Sequence, residues 1–154
     1  MPSNATLSPG RVAALLAPPL IVMCLIFVLS AQPSDPVDRA WWDVLLRKLA
    51  HFTEYAVLTV LWWRALRGFG LSFRGALAGA LAVSLAYAAS DEFHQTFVEG
   101  RHGTPVDVLI DAAGMALAAT VLVLLNLRSP APDLGTLAPE RRVGERLDRA
   151  GQPR

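Results

Sequence analysis

The sequence contains few charged side chains and almost no cysteine. Only 18% of its 154 residues are Asp, Glu, Lys or Arg, whereas an ordinary soluble domain has about 25%. The single cysteine, Cys24, excludes an intramolecular disulfide framework. The chain has no HExxH motif, no nucleophile elbow and no internal repeat. The formal net charge is +1 and no basic, aromatic patch is present, so nothing indicates nucleic-acid binding.

Long apolar stretches make up most of the chain, since 53% of its residues are apolar. A helix of roughly 20 apolar residues crosses a bilayer, and four stretches approach that length: 12–30, 45–66, 75–93 and 106–127. The first is longer than the roughly 7–15 apolar residues of a signal-peptide core, which favours an uncleaved span. The predicted fold is therefore all-α, an integral membrane four-helix bundle.

The composition changes near residue 128. Residues 1–128 carry all four spans and form one predicted membrane domain. Residues 129–154 combine charges of both signs with little apolar content, which predicts a disordered tail. Several prolines interrupt this segment: Pro130, Pro132, Pro139 and Pro153.

The arginines predict which side of the membrane each end faces. The link between the second and third spans contains Arg64, Arg67 and Arg74 and no acidic residue. Cytoplasmic loops carry an excess of Lys and Arg. We therefore expect this link, both chain termini and the 129–154 tail to be cytoplasmic. The acidic residues that precede residue 130 then lie on or near the outer face.

Polar side chains gather at the predicted outer ends of the spans, where ionisable groups usually pair or serve a ligand. Residues three and four apart share a helix face, so each of the last three spans presents one polar stripe. If the stripes face inward, they form one chamber at the outer leaflet. Glu54 and Asp111 lie deeper, where an unpaired carboxylate is costly. The candidate polar site consists of Gln32, Lys48, His51, Glu54, Tyr55, Asp91, Glu92, His94, Gln95, Arg101, Asp107 and Asp111.

Four short motifs carry most of these residues. They are SAQ at 30–32, KLAHFTEYAVL at 48–58, DEFHQTF at 91–97, and Arg101 followed by DVLIDAAG at 107–114. In order, spacing and position relative to the spans, these motifs resemble those of the VanZ-like family of small bacterial membrane proteins.

The resemblance covers roughly residues 12–127 and implies a four-span fold and a membrane location. The family takes its name from a protein linked to low-level resistance to the glycopeptide antibiotic teicoplanin. A role in the cell envelope and in such resistance is what the resemblance implies here. The family often has Asn where this chain has Asp111, so the carboxyl group at this position departs from the family pattern.

Our leading interpretation is a binding or modulating protein. Lys48 and Arg101 are basic residues embedded among acids at the predicted outer face. They could hold an anionic envelope lipid or a cell-wall precursor, because a guanidinium presents a planar fork suited to phosphate.

Two other interpretations stay open. In the first, the protein is a membrane enzyme in which His/carboxylate pairs at helical spacing ligate a metal or exchange protons. The metal-ligand candidates are then His51, Glu54, Asp91 and His94. In the second, the polar groups pair with one another and lock the helices together without a ligand. The sequence identifies no cofactor and does not decide between an enzyme and a binding protein.

Overall fold

The computed structural model describes residues 7–33, 41–101 and 103–128. Four helices occupy nearly all of this part: α1 (Pro9–Ser30), α2 (Trp41–Gly68), α3 (Phe73–Gln95) and α4 (Pro105–Arg128). No strand occurs within these ranges. The predicted all-α four-helix fold is confirmed, and each helix extends beyond its predicted span at one or both ends. The 129–154 tail lies outside the described residues.

Three of the helices, α1, α3 and α4, are long and apolar enough to cross a membrane. Many large apolar side chains on them are exposed, such as Ile21 on α1 and Leu109 on α4, as expected of a surface that faces lipid. Helix α2 falls outside this set because its first half is polar. At 1.5 Å per residue its 28 residues still extend about 42 Å, so its predicted crossing stays compatible with its length.

Helix α2 packs against each of the other three helices and most extensively against α4, which makes it the central element of the bundle. The apolar core joins Ile26 of α1, Tyr55 and Leu58 of α2, Ala88 of α3 and Met115 of α4. Helices α2 and α4 approach most closely at Gly114, where an added Cβ would overlap the backbone carbonyl of Phe52. This approach brings the polar residues of α2 against those of α4.

Two side-chain contacts show how the helix ends are arranged. Ser30, the last residue of α1, donates a hydrogen bond to Asp91 of α3, and Lys48 of α2 contacts Asp107 of α4. The C-terminal ends of α1 and α3 and the N-terminal ends of α2 and α4 therefore meet at one end of the bundle. We call this the polar end. The arginine-containing link between α2 and α3 lies at the opposite end.

We predict that Gly114→Ala destabilises the bundle. Alanine improves helix propensity by about 1 kcal/mol, but overpacking against a rigid backbone costs about 1–3 kcal/mol. The melting temperature in mild detergent should therefore fall. Gly10→Ala is the control, because Gly10 has no atom near its Cβ position. Equal melting temperatures for the two variants would contradict the close approach of α2 and α4.

Candidate functional site

A buried hydrogen-bond network joins α1 to α3 at the polar end. Ser30 Oγ donates to Asp91 Oδ2 at 2.8 Å, and Gln95 Nε2 donates to the same oxygen at 3.0 Å. Gln95 Nε2 also lies 3.4 Å from Glu92 Oε1. All four residues are buried, and Asp91 is only 3% exposed. The network fixes one carboxylate oxygen of Asp91 and leaves the other, Oδ1, without a hydrogen-bond partner among the described residues.

The loop before α4 folds over Glu92. The backbone N–H of Thr104 donates to Glu92 Oε2 at 3.0 Å. Gly103 lies so close to the Glu92 carbonyl that a Cβ there would overlap it. Glycine at this position therefore allows the loop to close over the end of α3. The Glu92 carboxylate is contacted by Gln95 of its own helix and by Thr104 of the loop.

Lys48 and Asp107 form an ion pair at the rim of the chamber. Lys48 Nζ is 2.6 Å from Asp107 Oδ1, and the two side chains are 39% and 27% exposed. Thr104 Oγ1 donates to the other oxygen of Asp107 at 2.7 Å. The ammonium group that the sequence assigned to an anionic ligand is thus engaged by a carboxylate.

Arg101 contacts the C-terminal end of α1. Its Nε donates to the carbonyl of Gln32 and its Nη2 to the carbonyl of Leu29, both at 3.0 Å. A cation is favourable at a helix C-terminus, where carbonyl groups lack helical partners. The side chain of Gln32 turns back to the carbonyl of Val28, so Gln32 offers Arg101 its backbone oxygen.

The deepest polar pair lies between α2 and α4. His51 Nδ1 is 3.4 Å from Asp111 Oδ1, an ion-pair contact that lacks hydrogen-bond geometry. Asp111 is fully buried, and neither of its oxygens has a hydrogen-bond partner in the described part of the chain. Tyr55 lies close by, with its ring centroid 6.3 Å from that of His51. A buried polar group without a partner costs about 1–3 kcal/mol. The pair in this arrangement therefore lowers the stability of the bundle.

Three side chains from two helices converge near this pair. His51, Asp91 and Glu92 each present one nitrogen or carboxylate oxygen within 4.8 Å of the others. We call these three residues the acidic cluster. Of the four metal-ligand candidates from the sequence, His51 and Asp91 belong to it. Glu54 and His94 stand outside it, and the His94 ring instead stacks on Phe27 at 4.6 Å.

A cleft opens between α1 and α3 beside the acidic cluster. It encloses about 240 Å³, and Asp91 belongs to both the cleft and the cluster. Phe93 and Phe97 at its mouth are 67% and 73% exposed. The cleft lining consists of Phe27, Tyr87, Ser90, Asp91, Phe93, His94 and Phe97.

Sequence reasoning missed several residues of this region. Ser30 of the SAQ motif, Gly103 and Thr104 are absent from the candidate polar site that the sequence predicts. Phe27 and Tyr87 carry no polar signal in the sequence. The four-residue spacing of Phe93 and Phe97 was the available indication of an aromatic face next to the polar stripe of α3.

Comparison with known proteins is consistent with these features. The family model described as VanZ/LLP1 matches residues 15–126, which include most of the four helices. The "uncharacterized membrane protein YwnJ" of Bacillus subtilis (strain 168) is 35% identical over 86 residues. That match covers 56% of this chain and 55% of YwnJ, so it spans about half the length of the relative. No solved structure matches.

We predict that the Ser30–Asp91 hydrogen bond stabilises the bundle more than the Lys48–Asp107 ion pair does. A buried bond to a charged group contributes about 1.5–3 kcal/mol, whereas a partly exposed ion pair contributes about 0–1 kcal/mol. Ser30→Ala should therefore lower the free energy of unfolding more than Lys48→Met, in denaturant titrations in mild detergent.

The control is Ser90→Ala, because Ser90 is exposed and directly precedes Asp91. It should leave the free energy of unfolding within about 0.5 kcal/mol of that of the parent chain. A larger loss for Lys48→Met than for Ser30→Ala would refute the ranking.

Proposed function

This chain belongs to the VanZ-like (VanZ/LLP1) family of membrane proteins, and on that premise we propose that it binds an anionic amphiphile of the cell envelope. The ligand is a membrane lipid or a cell-wall precursor, held at the polar end. The cleft between α1 and α3 is the observation that supports this proposal. Its lining combines aromatic side chains with the polar side chains of Ser90, Asp91 and His94, a combination suited to an apolar body with a polar head.

The direction of the bundle in the membrane is part of the proposal. Arg64, Arg67 and Arg74 lie toward the end opposite the polar end, and basic residues favour the cytoplasmic side. With that end inside, both termini are cytoplasmic and the cleft opens at the outer leaflet. Envelope lipids and membrane-bound wall precursors are accessible there by lateral diffusion.

Arg101 is the better of the two cations for recognising the anionic head. Its guanidinium is oriented by two carbonyl groups at the end of α1, the helix from which Phe27 lines the cleft. Lys48 would have to exchange Asp107 for the ligand, because its ammonium already contacts that carboxylate at 2.6 Å. The proposal therefore assigns head recognition to Arg101 and a secondary role to Lys48.

A photoreactive amino acid at position 97 should capture the bound amphiphile. Phe97 lies at the cleft mouth and is 73% exposed. Leu109 of α4 lies at the same end of the bundle as the cleft and is 68% exposed, so the same probe at position 109 is the matched control for random collisions with lipid. Mass spectrometry of the adducts should show an anionic lipid or precursor enriched at 97 over 109.

Arg101→Ala should reduce that enrichment roughly tenfold, the effect of losing about 1.4 kcal/mol of charge-assisted binding. The variant must retain the parent's membrane abundance for the comparison to count. Identical adducts at 97 and 109 would contradict a selective cleft.

A contribution to teicoplanin-type resistance is the cellular role we propose. A precursor held in the cleft would be withheld from a glycopeptide at the membrane surface. Expression of the chain in a sensitive bacterial host should raise the minimal inhibitory concentration of teicoplanin, and Arg101→Ala should abolish the increase. An increase that persists in Arg101→Ala cells would separate resistance from ligand binding.

The contact between His51 and Asp111 favours a second candidate, a membrane enzyme. A partly buried imidazole beside a carboxylate can accept or donate a proton during a reaction. An enzyme would convert the amphiphile captured at position 97 into a product, and His51→Gln would stop the conversion without preventing capture. If the parent chain captures the amphiphile without converting it, the enzyme hypothesis is refuted and the binding function stands.

A further inference from the structure

We propose that the acidic cluster of His51, Asp91 and Glu92 is a site for a divalent transition-metal ion such as Zn²⁺ or Mn²⁺. The three residues place one nitrogen and two carboxylate oxygens within 4.8 Å of one another. Three protein ligands that leave further positions open are typical of metal sites that also bind a small molecule. The proposal concerns the ion alone and does not depend on the amphiphile.

Burial of unpartnered oxygens supports the site independently of ligand spacing. Asp91 is 3% exposed and its Oδ1 has no hydrogen-bond partner, while Asp111 is fully buried and neither of its oxygens has one, within the ranges that the structure describes. Carboxylates without partners in an apolar bundle are strongly unfavourable. A divalent cation at the cluster would neutralise this charge and give the free oxygen of Asp91 a partner.

The surroundings of the three ligands resemble a second coordination shell. Asp91 Oδ2 accepts hydrogen bonds from Ser30 and Gln95, and Glu92 Oε2 accepts one from the backbone of Thr104. Such partners orient ligating carboxylates and are typical of metal sites. In a purely structural network we would expect both carboxylate oxygens of Asp91 to have hydrogen-bond partners.

Asp111 has the position of a residue that orients a histidine ligand. It faces His51 Nδ1 at 3.4 Å, and ligating histidines commonly donate one ring N–H to a carboxylate. In that arrangement Nε2 is the nitrogen that contacts the ion. Asp111 is therefore a positioning residue, and its own negative charge further favours a cation.

The ligand set also selects the type of ion. Mg²⁺ and Ca²⁺ prefer oxygen ligands throughout, whereas an imidazole suits Zn²⁺ and other transition metals. Since Asp91 also lines the cleft, an ion in the cluster would face any anionic group that entered there. The acidic character of the polar end would then attract an anionic head through the ion.

Metal content of the purified full chain tests the site. The protein is stripped with EDTA in mild detergent, incubated with Zn²⁺, Mn²⁺ or Mg²⁺, and desalted before elemental analysis. We expect about one equivalent of Zn²⁺ or Mn²⁺ per chain and none of Mg²⁺. A parent chain that retains no Zn²⁺ or Mn²⁺, or that prefers Mg²⁺, overturns the proposal.

Glu92→Gln and His51→Gln should each weaken metal affinity at least tenfold. Glu99→Gln is the matched control, because Glu99 is exposed in the loop after α3 and undergoes the same chemical change without touching the cluster. Equal metal retention in Glu92→Gln and Glu99→Gln overturns the assignment. If His51→Gln fails to fold, Glu92→Gln decides the outcome, since its amide oxygen can still accept the Thr104 N–H.

Cobalt substitution identifies the histidine ligand directly. The visible absorption of bound Co²⁺ reports its ligands, so the spectrum should shift in His51→Gln and remain unchanged in Glu99→Gln. Photocapture at position 97 is scored separately on metal-free and metal-loaded protein. Metal binding without selective capture would refute the proposed amphiphile binding and support the metal site. Selective capture without metal binding would refute the metal site and support amphiphile binding.

Discussion

The structure depends on keeping carboxylates buried inside a bundle made mainly of apolar helices. Asp91 and Asp111 come from different helices, are almost completely shielded, and lie near the imidazole of His51. Charges in such surroundings are tolerated only when they are paired or bind an ion. The hydrogen bonds from Ser30 and Gln95 satisfy one oxygen of Asp91, and the loop at Gly103 closes over the neighbouring Glu92.

The need to accommodate these buried carboxylates also explains the position of α2 in the bundle. Helix α2 must lie centrally, because it contributes His51 to the cluster, Lys48 to the rim and Tyr55 to the core. Its polar first half excludes it from the helices that are apolar enough to cross a membrane alone. Within this half Lys48, His51 and Glu54 are only partly exposed. Helix α4 gives Lys48 and His51 carboxylate partners, and pairing of this kind is how ionisable residues are usually accommodated in membranes.

The fold was largely predictable from the sequence, and the partners of individual side chains were not. Long apolar runs identified α1 and α4. Helical spacing predicts one face of α3 for Asp91, His94 and Gln95; in the structure Gln95 donates to Asp91, whereas His94 stacks on Phe27. Spacing could not reveal that Lys48 would contact Asp107, because that pairing depends on how α2 and α4 pack. The cleft escaped prediction for the same reason, since it lies between α1 and α3, which are far apart in the chain.

The central claim is that His51 of α2 and the buried carboxylates Asp91 and Glu92 of α3 meet around one cation. Anomalous diffraction from crystals soaked in Zn²⁺, recorded at the zinc absorption edge, tests it most directly. The account predicts one strong peak about 2.0–2.2 Å from a nitrogen of His51 and from oxygens of Asp91 and Glu92. A map without that peak, or side chains of Asp91 and Asp111 directed into the surrounding lipid, would contradict it.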